Sequence, residues 1–81
     1  MNYDEVYDKT KEIIVKYLRI DENEIKPETN LIDELCIDSI ALVELGFRFS
    51  ETFDIPMIDG SNNLFIMKEL TEFIFKEINK E

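Results

Sequence analysis

The sequence predicts an all-α fold: a small four-helix bundle of three main helices and one short helix, with a long packed loop between helices 1 and 2. Three segments carry apolar residues at helical spacing, and no segment alternates apolar and polar residues as a half-buried strand does. Both prolines, Pro27 and Pro56, fall between those segments. A chain of 81 residues makes one domain, residues 1–81, at the small end of what folds alone.

The first main helix is predicted from about Tyr3 to Leu18. Asp4 and Glu5 suit its first turn, because carboxylates are favoured at the positive end of the helix dipole. Its apolar face has six members at helical spacing, namely Val6, Thr10, Ile13, Ile14, Tyr17 and Leu18.

The connection from about Arg19 to Ile37 is predicted to be a packed loop. Pro27 disfavours helical backbone at Lys26. Loops of this length without anchors are unusual in compact domains. Here spaced apolar residues should fasten the segment to the core: Ile20, Ile25, Leu31, Ile32 and Leu35.

The start of this loop, Asp21-Glu22-Asn23-Glu24, also begins like a calcium-binding EF-hand loop. That hypothesis fails at three positions. Ile25 stands where a ligand is needed, Lys26 where glycine is needed, and Ile32 where the bidentate glutamate is needed. No metal site is therefore predicted.

The second main helix is predicted from about Ser39 to Phe53 and should be the most buried element. Pro56 ends it, because it pushes Ile55 out of the helical region. The apolar residues of this helix are Ile40, Val43, Leu45, Phe47, Phe49 and Phe53.

The end of the chain is predicted to hold the short helix and the last main helix. The short one is placed at about Asn62 to Phe65, after the turn-forming run Asp59–Asn63. The last helix is placed from about Met67 to Ile78. Its inward residues are Leu70, Phe73, Ile74 and Ile78.

The charge balance excludes some functions. With 19 acidic and 9 basic residues, the net charge is −10. Nucleic acids and anionic membrane surfaces require Lys and Arg, so neither is expected as a partner, whereas basic proteins are favoured. The alternative is that the charge serves only solubility. A single cysteine and no visible signal peptide or spanning segment predict a cytoplasmic protein without membrane insertion.

The same charge predicts salt-dependent stability. Carboxylates repel one another in the folded state, and added ions screen that repulsion. We expect added salt or divalent cations to raise the Tm in thermal denaturation. A Tm that is indifferent to ionic strength would contradict this.

Asp38-Ser39-Ile40 is the motif most informative about function. It puts one serine at the start of the second main helix, behind an acidic residue and ahead of an apolar run. The start of a helix has unpaired N–H groups and a partial positive charge, so a phosphate attached there would be stabilised. The alternative is that Asp38 or Ser39 merely caps the helix.

The stretch Leu35–Leu45 resembles the attachment site of acyl carrier proteins, whose usual pattern is Leu-Gly-x-Asp-Ser-Leu followed by Val-Glu-Leu. In that family the serine is esterified with 4′-phosphopantetheine, which carries acyl chains as thioesters. The resemblance covers nearly the whole chain. It implies that Ser39 bears the arm and that the chain is a carrier in fatty acid biosynthesis or a related pathway, not an enzyme. The chain has no histidine, which removes any Ser-His or Cys-His arrangement, and no catalytic residue is predicted.

The resemblance also implies partner and cavity residues. The chain, expected to be a monomer, would meet a phosphopantetheinyl transferase and acyl-transferring and synthase enzymes with basic docking patches. The docking residues would be Asp38, Ile40, Glu44 and Glu51. An acyl-sheltering cavity would be lined by Leu45, Phe49, Leu64, Leu70 and Phe73. The alternatives are solvated surface charge for the glutamates and ordinary core for the apolar set.

The chain departs from the family pattern at several places. Cys36 stands where the family has Gly, and Arg19 stands where Gly often ends the first helix. Gly reaches positive φ without strain, so altered loop geometry or strain is predicted at both. Cys36 is interpreted as a small buried apolar residue, not a thiol carrier. Ala41 stands where the family commonly has an acidic residue, and Arg48 and Ser50 thin out an acidic stretch typical of the second helix. These departures leave open which partner enzymes recognise the chain.

These departures leave two alternatives open. The first is a carrier dedicated to a polyketide, aminoacyl or specialised-lipid pathway. The second is a helical adaptor that binds basic partners without modification. Mass gain after incubation with coenzyme A and a transferase would separate carriers from the adaptor.

Overall fold

The computed structural model describes residues 2–56 and 65–79. It contains α1 (Tyr3–Leu18), a 3-10 turn (Glu22–Glu24), α2 (Leu31–Leu35), α3 (Ser39–Phe53) and α4 (Met67–Ile78). Across those two ranges the only β pairing is the isolated bridge between Asn30 and Ile66. The predicted all-α fold is confirmed, and the three main helices have the predicted bounds.

Side-chain caps explain where the helices start. At α1 the Asn2 Oδ1 accepts from the Glu5 N–H at 2.8 Å, and the Glu5 Oε1 accepts from the Asn2 N–H at 3.1 Å. This reciprocal pair satisfies two backbone donors that the helix leaves unpaired. At α3 the Asp38 Oδ1 accepts from the Ala41 N–H at 2.8 Å.

Left-handed residues end the first three helices. Arg19 has φ 58°, Cys36 has φ 56° and Asp54 has φ 55°. In each case the residue's N–H donates back to a carbonyl of the last helical turn. Of the two alternatives predicted at Arg19 and Cys36, altered loop geometry or strain, these φ values favour strain, because a Cβ is unfavourable in this conformation. The same left-handed conformation at Asp54 was not predicted.

The short helix α2 lies inside the segment that was predicted to be only a packed loop. The Asn30 Oδ1 accepts from the N–H groups of Ile32 and Asp33 at 3.0 and 2.9 Å, and the Glu34 Oε2 accepts from the Asn30 N–H at 2.7 Å. A helix of five residues shows no apolar periodicity, so its only sequence signal is this cap.

The short helical turn predicted at Asn62–Phe65 falls on residues 62–64, outside the described part of the chain. Phe65 itself is not helical. Its carbonyl instead accepts from the Leu31 N–H at 2.7 Å. The Phe65 carbonyl is therefore hydrogen-bonded to the loop and not to a helical turn.

That loop also caps α4. Ile66 precedes α4 and offers no side-chain acceptor. The Met67 N–H donates instead to the Thr29 carbonyl at 3.0 Å, and the Lys68 N–H donates to the Pro27 carbonyl at 2.9 Å. The N–H groups that α4 leaves unpaired in its first turn thus donate to backbone carbonyls far earlier in the chain.

The core lies where α1 packs against α3 and α4. Its fully enclosed side chains come from all of these helices and from the loop. The buried apolar residues are Val6, Ile14, Ile25, Leu31, Ile37, Leu45, Phe49, Phe53, Ile55, Met67, Leu70 and Ile74.

The prediction that α3 would be the most buried element is wrong. Ile40, Val43 and Phe47 are 77%, 48% and 49% exposed. They lie three and four residues apart, so they share the side of α3 opposite Leu45 and Phe49. The helix is apolar on both sides and buries only one.

Candidate functional site

Ser39 is the first residue of α3 and is exposed. The cap of this helix belongs to Asp38, whose carboxylate accepts from the Ala41 N–H and whose carbonyl accepts from the Leu42 N–H at 3.0 Å. Between described residues, no hydrogen bond engages the Ser39 hydroxyl. Asp38 therefore takes the capping role and leaves Ser39 Oγ accessible.

Ser50 gives the useful comparison. Its hydroxyl donates to the Ile55 carbonyl at 2.6 Å, and the residue is half-buried. It thus secures the end of α3. Of these two serines, only Ser39 presents its oxygen to a reagent from outside.

The start of α3 suits a phosphate group. Its first turn holds no acidic residue, so only Asp38 brings negative charge there. The backbone N–H groups at a helix start attract anions. A phosphate ester on Ser39 would lie in this favourable field, with solvent on its outer side. The residues present therefore fit a phosphorylated group on Ser39.

Beside Ser39 lies a shallow depression of about 340 Å³ lined by Ser39, Ile40, Val43 and Glu44. Phe47 follows one turn further along the same side. We call Ile40, Val43, Glu44 and Phe47 the α3 face. Exposed apolar residues that adjoin one another are typical of protein interaction sites.

The prediction placed Ile40 and Glu44 on a docking surface, and it counted Val43 and Phe47 only among the apolar residues of a helix expected to be the most buried element. Their spacing from Ile40, three and seven residues, was a signal that all three share one side. Because α3 carries apolar residues on two opposite sides, that signal did not show which side faces solvent.

Glu44 is engaged within the chain. The Arg48 Nη2 lies 3.6 Å from the Glu44 Oε1, and the Arg48 Cζ lies 5.1 Å from the centre of the Tyr17 ring. The four-residue spacing of Glu44 and Arg48 is a helical pairing signal that the sequence prediction did not use. Glu51 is exposed and has no ion pair among the described residues.

Glu51 and Arg48 border a second depression, of about 320 Å³, between α3 and α1. On the α1 side Glu12 accepts a hydrogen bond from the Lys16 Nζ at 3.4 Å, and the Lys9 Nζ lies 3.5 Å away. Lys16 and then Lys9 hold the pKa of Glu12 below its ordinary value. Three cations, Lys9, Lys16 and Arg48, and two carboxylates, Glu12 and Glu51, thus line this depression.

Four of the five residues predicted to line an acyl cavity belong to the core cluster or pack against it. Leu45, Phe49 and Leu70 are buried, and Phe73 is partly buried against the same cluster. Leu64 lies outside the described residues. Whether this group shelters an acyl chain stays a prediction.

Cys36 is exposed, so its interpretation as a buried apolar residue is wrong. It ends α2 in left-handed geometry. It lies three residues before Ser39, in the segment that leads into α3.

Replacement of Cys36 by glycine should stabilise the fold. Gly removes the Cβ that makes φ 56° unfavourable, a strain of about 1–3 kcal/mol. The unfolded state gains entropy worth about 0.4–1 kcal/mol, so the middle values of the two ranges leave a net gain of about 1.3 kcal/mol. Urea denaturation under reducing conditions measures it. Cys36→Ala is the matched control, since it removes the thiol but keeps the Cβ. Equal stability of the two variants would refute the strain argument.

The segment that begins like an EF-hand forms the 3-10 turn. The Asp21 Oδ1 accepts from the Asn23 N–H at 2.8 Å, and the Glu24 Oε2 accepts from the Asp21 N–H at 3.0 Å. Both carboxylates thus accept hydrogen bonds from backbone N–H groups. Within residues 2–56 and 65–79, no three Cys, Asp or Glu side chains are grouped to hold a metal ion. Nor does any helix of that part have the length and apolar character needed to cross a membrane.

Comparison with known proteins agrees with this geometry. A family model described as phosphopantetheine attachment site matches residues 8–59, which include all of α2 and α3. An acyl carrier protein of Picosynechococcus sp. is 46% identical over 55 residues, which span 68% of this chain and 68% of that protein. An acyl carrier protein of Clostridium acetobutylicum is 48% identical over 54 residues, 67% of this chain and 70% of that protein.

Proposed function

Because the chain belongs to the acyl carrier protein family, with a covalently attached 4′-phosphopantetheine group as its cofactor, we propose that Ser39 is the residue that bears this group. Members of this family are carriers and not enzymes. One observation supports the choice of residue. Residues 8–59 contain two serines, Ser39 and Ser50, and only Ser39 is exposed, at the start of a helix.

The chemistry asked of Ser39 is limited. Its Oγ forms a bond to the phosphorus of the arm as the diphosphate of coenzyme A is cleaved, and the nucleotide portion leaves. The hydroxyl proton goes to a base supplied by the transferase, because the preceding carboxylate, Asp38, is engaged with the Ala41 N–H. Once bound, the arm supplies the thiol that holds acyl groups as thioesters. The chain presents the arm at the start of α3.

The α3 face, with Asp38 and Glu51 beside it, is the proposed docking surface. Ile40, Val43 and Phe47 offer apolar area, and Glu44 and Glu51 flank it with carboxylates. The net charge of −10 steers the chain towards basic surfaces. We assign this surface to phosphopantetheinyl transferase and to acyl-transferring and synthase enzymes with basic docking patches.

The pathway proposed is fatty acid biosynthesis or a related pathway in the cytoplasm. The exposed Cys36 thiol suits a reducing compartment. A dedicated polyketide, aminoacyl or specialised-lipid pathway is the second candidate, favoured by Arg48, which engages Glu44 on the docking surface.

Mass spectrometry tests the proposal directly. The chain is incubated with coenzyme A, Mg²⁺ and a broad-specificity transferase, and its intact mass is measured. We expect the addition of one phosphopantetheinyl group. Fragmentation of the tryptic peptide that spans residues 20–48 should place the group on Ser39. Absence of any mass gain with several transferases, or modification at another residue, would refute the assignment.

A further inference from the structure

We infer that Arg48 is a specificity-determining residue, which holds Glu44 in an ion pair within the chain and so weakens the attraction of the α3 face for cations of partner enzymes. The inference rests on the proposed function, since it concerns the enzymes that act on Ser39. Arg48 would set how strongly partner binding to the docking surface depends on charge.

Two contacts from different helices hold the Arg48 guanidinium. On α3 its Nη2 lies 3.6 Å from the Glu44 Oε1. Glutamate precedes arginine by four residues, which is the favourable order on a helix. On α1 the Tyr17 ring lies under the guanidinium, 5.1 Å from Cζ. An arginine stacked on an aromatic ring loses less freedom when it forms an ion pair.

The pair changes the charge that a partner meets. Glu44 and Glu51 contribute two negative charges to this side of α3, and Arg48 contributes one positive charge, which leaves −2 + 1 = −1. On α1, Lys9 and Lys16 line the neighbouring depression together with Glu12, with which both are paired, and these three residues add a net charge of +2 − 1 = +1 nearby. A lysine or arginine of a partner can bind Glu44 only by sharing it with Arg48 or displacing Arg48.

The apolar part of the α3 face is unaffected by this pairing. Ile40 is 77% exposed and adjoins Val43 and Glu44 in the depression beside Ser39. Burial of apolar area does not depend on opposite charges. The arrangement therefore favours partner surfaces that offer an apolar groove with few cations. Association should depend less on ionic strength than it would without Arg48.

A double-mutant cycle tests this. The kcat/KM for phosphopantetheine transfer is measured with a broad-specificity transferase for the unchanged chain, Arg48→Gln, Glu44→Gln and the double variant. Exposed ion pairs are worth little, so Arg48→Gln should raise kcat/KM by about two- to fivefold at low ionic strength. The gain should disappear in the Glu44→Gln background and shrink at high salt.

Two further variants separate the local effect from other causes. Lys68→Gln removes one positive charge from an exposed position on α4 and should give a smaller gain. Arg48→Met keeps an aliphatic stem for contact with Tyr17, so a gain shared with Arg48→Gln shows that loss of this packing is not the cause.

Three results would overturn the inference: no gain for Arg48→Gln, an equal gain in the Glu44→Gln background, or an equal gain for Lys68→Gln. Loading of the unchanged chain distinguishes these from a failure of the proposed function. If the unchanged chain is never modified, the assignment of Ser39 fails, whereas a modified chain with an unaltered rate in Arg48→Gln refutes the role of Arg48 alone.

Discussion

Ser39→Ala is expected to abolish phosphopantetheinylation completely. The substitution removes the only exposed hydroxyl at the start of α3 and leaves no oxygen on which the phosphate ester can form. The fold should be unchanged, because the cap is made by Asp38 and the side chain of Ser39 is exposed. Intact mass after incubation with coenzyme A and transferase measures the loss of modification. The free energy of unfolding should stay within about 0.5 kcal/mol of that of the unchanged chain.

Ser50→Ala is the matched control. It removes the other serine of the matched region and the hydrogen bond to the Ile55 carbonyl, which should cost about 1 kcal/mol of stability. Modification should proceed as in the unchanged chain. Continued modification of Ser39→Ala, or its loss in folded Ser50→Ala, would assign the arm to a different residue.

Leu45→Ala should have the largest effect on stability. Leu45 lies on the inner side of α3 and is 2% exposed. Truncation of a buried leucine loses its transfer free energy and leaves a cavity, at a cost of about 2–5 kcal/mol. Small domains are stable by only about 5–15 kcal/mol, so this variant should be partly unfolded in moderate urea. Urea denaturation followed by circular dichroism measures the shift.

Val43→Ala is the control on the same helix. Val43 is 48% exposed, and alanine has the higher helix propensity, so the free energy of unfolding should change by less than about 0.5 kcal/mol. Similar losses for Leu45→Ala and Val43→Ala would mean that the buried and exposed sides of α3 are wrongly assigned.

Much of the fold could be predicted because it depends on local signals. The bounds of α1, α3 and α4 follow from apolar spacing and from residues such as Asp38 and Pro56, whose effects extend over a few positions. The features that could not be predicted either depend on contacts between distant parts of the chain or have no periodic pattern. α2 is too short to show a period, and the exposure of Ile40 depends on which side of α3 the other helices cover.

The same distinction holds for the site. The position of Ser39 at the start of a helix could be predicted from Asp38-Ser39 together with the apolar run that follows. The strain at Cys36 followed from the missing glycine, but its exposure did not, because exposure depends on the path of the chain after α2. The contact of Arg48 with Tyr17 joins two helices, and no pattern within either helix indicates it.

The carbonyls of Pro27 and Thr29, which cap α4, have a consequence for how the molecule opens. The first turn of α4 keeps its donors paired only while the loop stays docked, so the two segments should fray and re-form as one cooperative unit. Contacts between such distant parts of a chain form late in folding, because a long loop must close first. The last helix is therefore coupled to the loop that leads towards Ser39. A change that destabilises one of these segments should also destabilise the other.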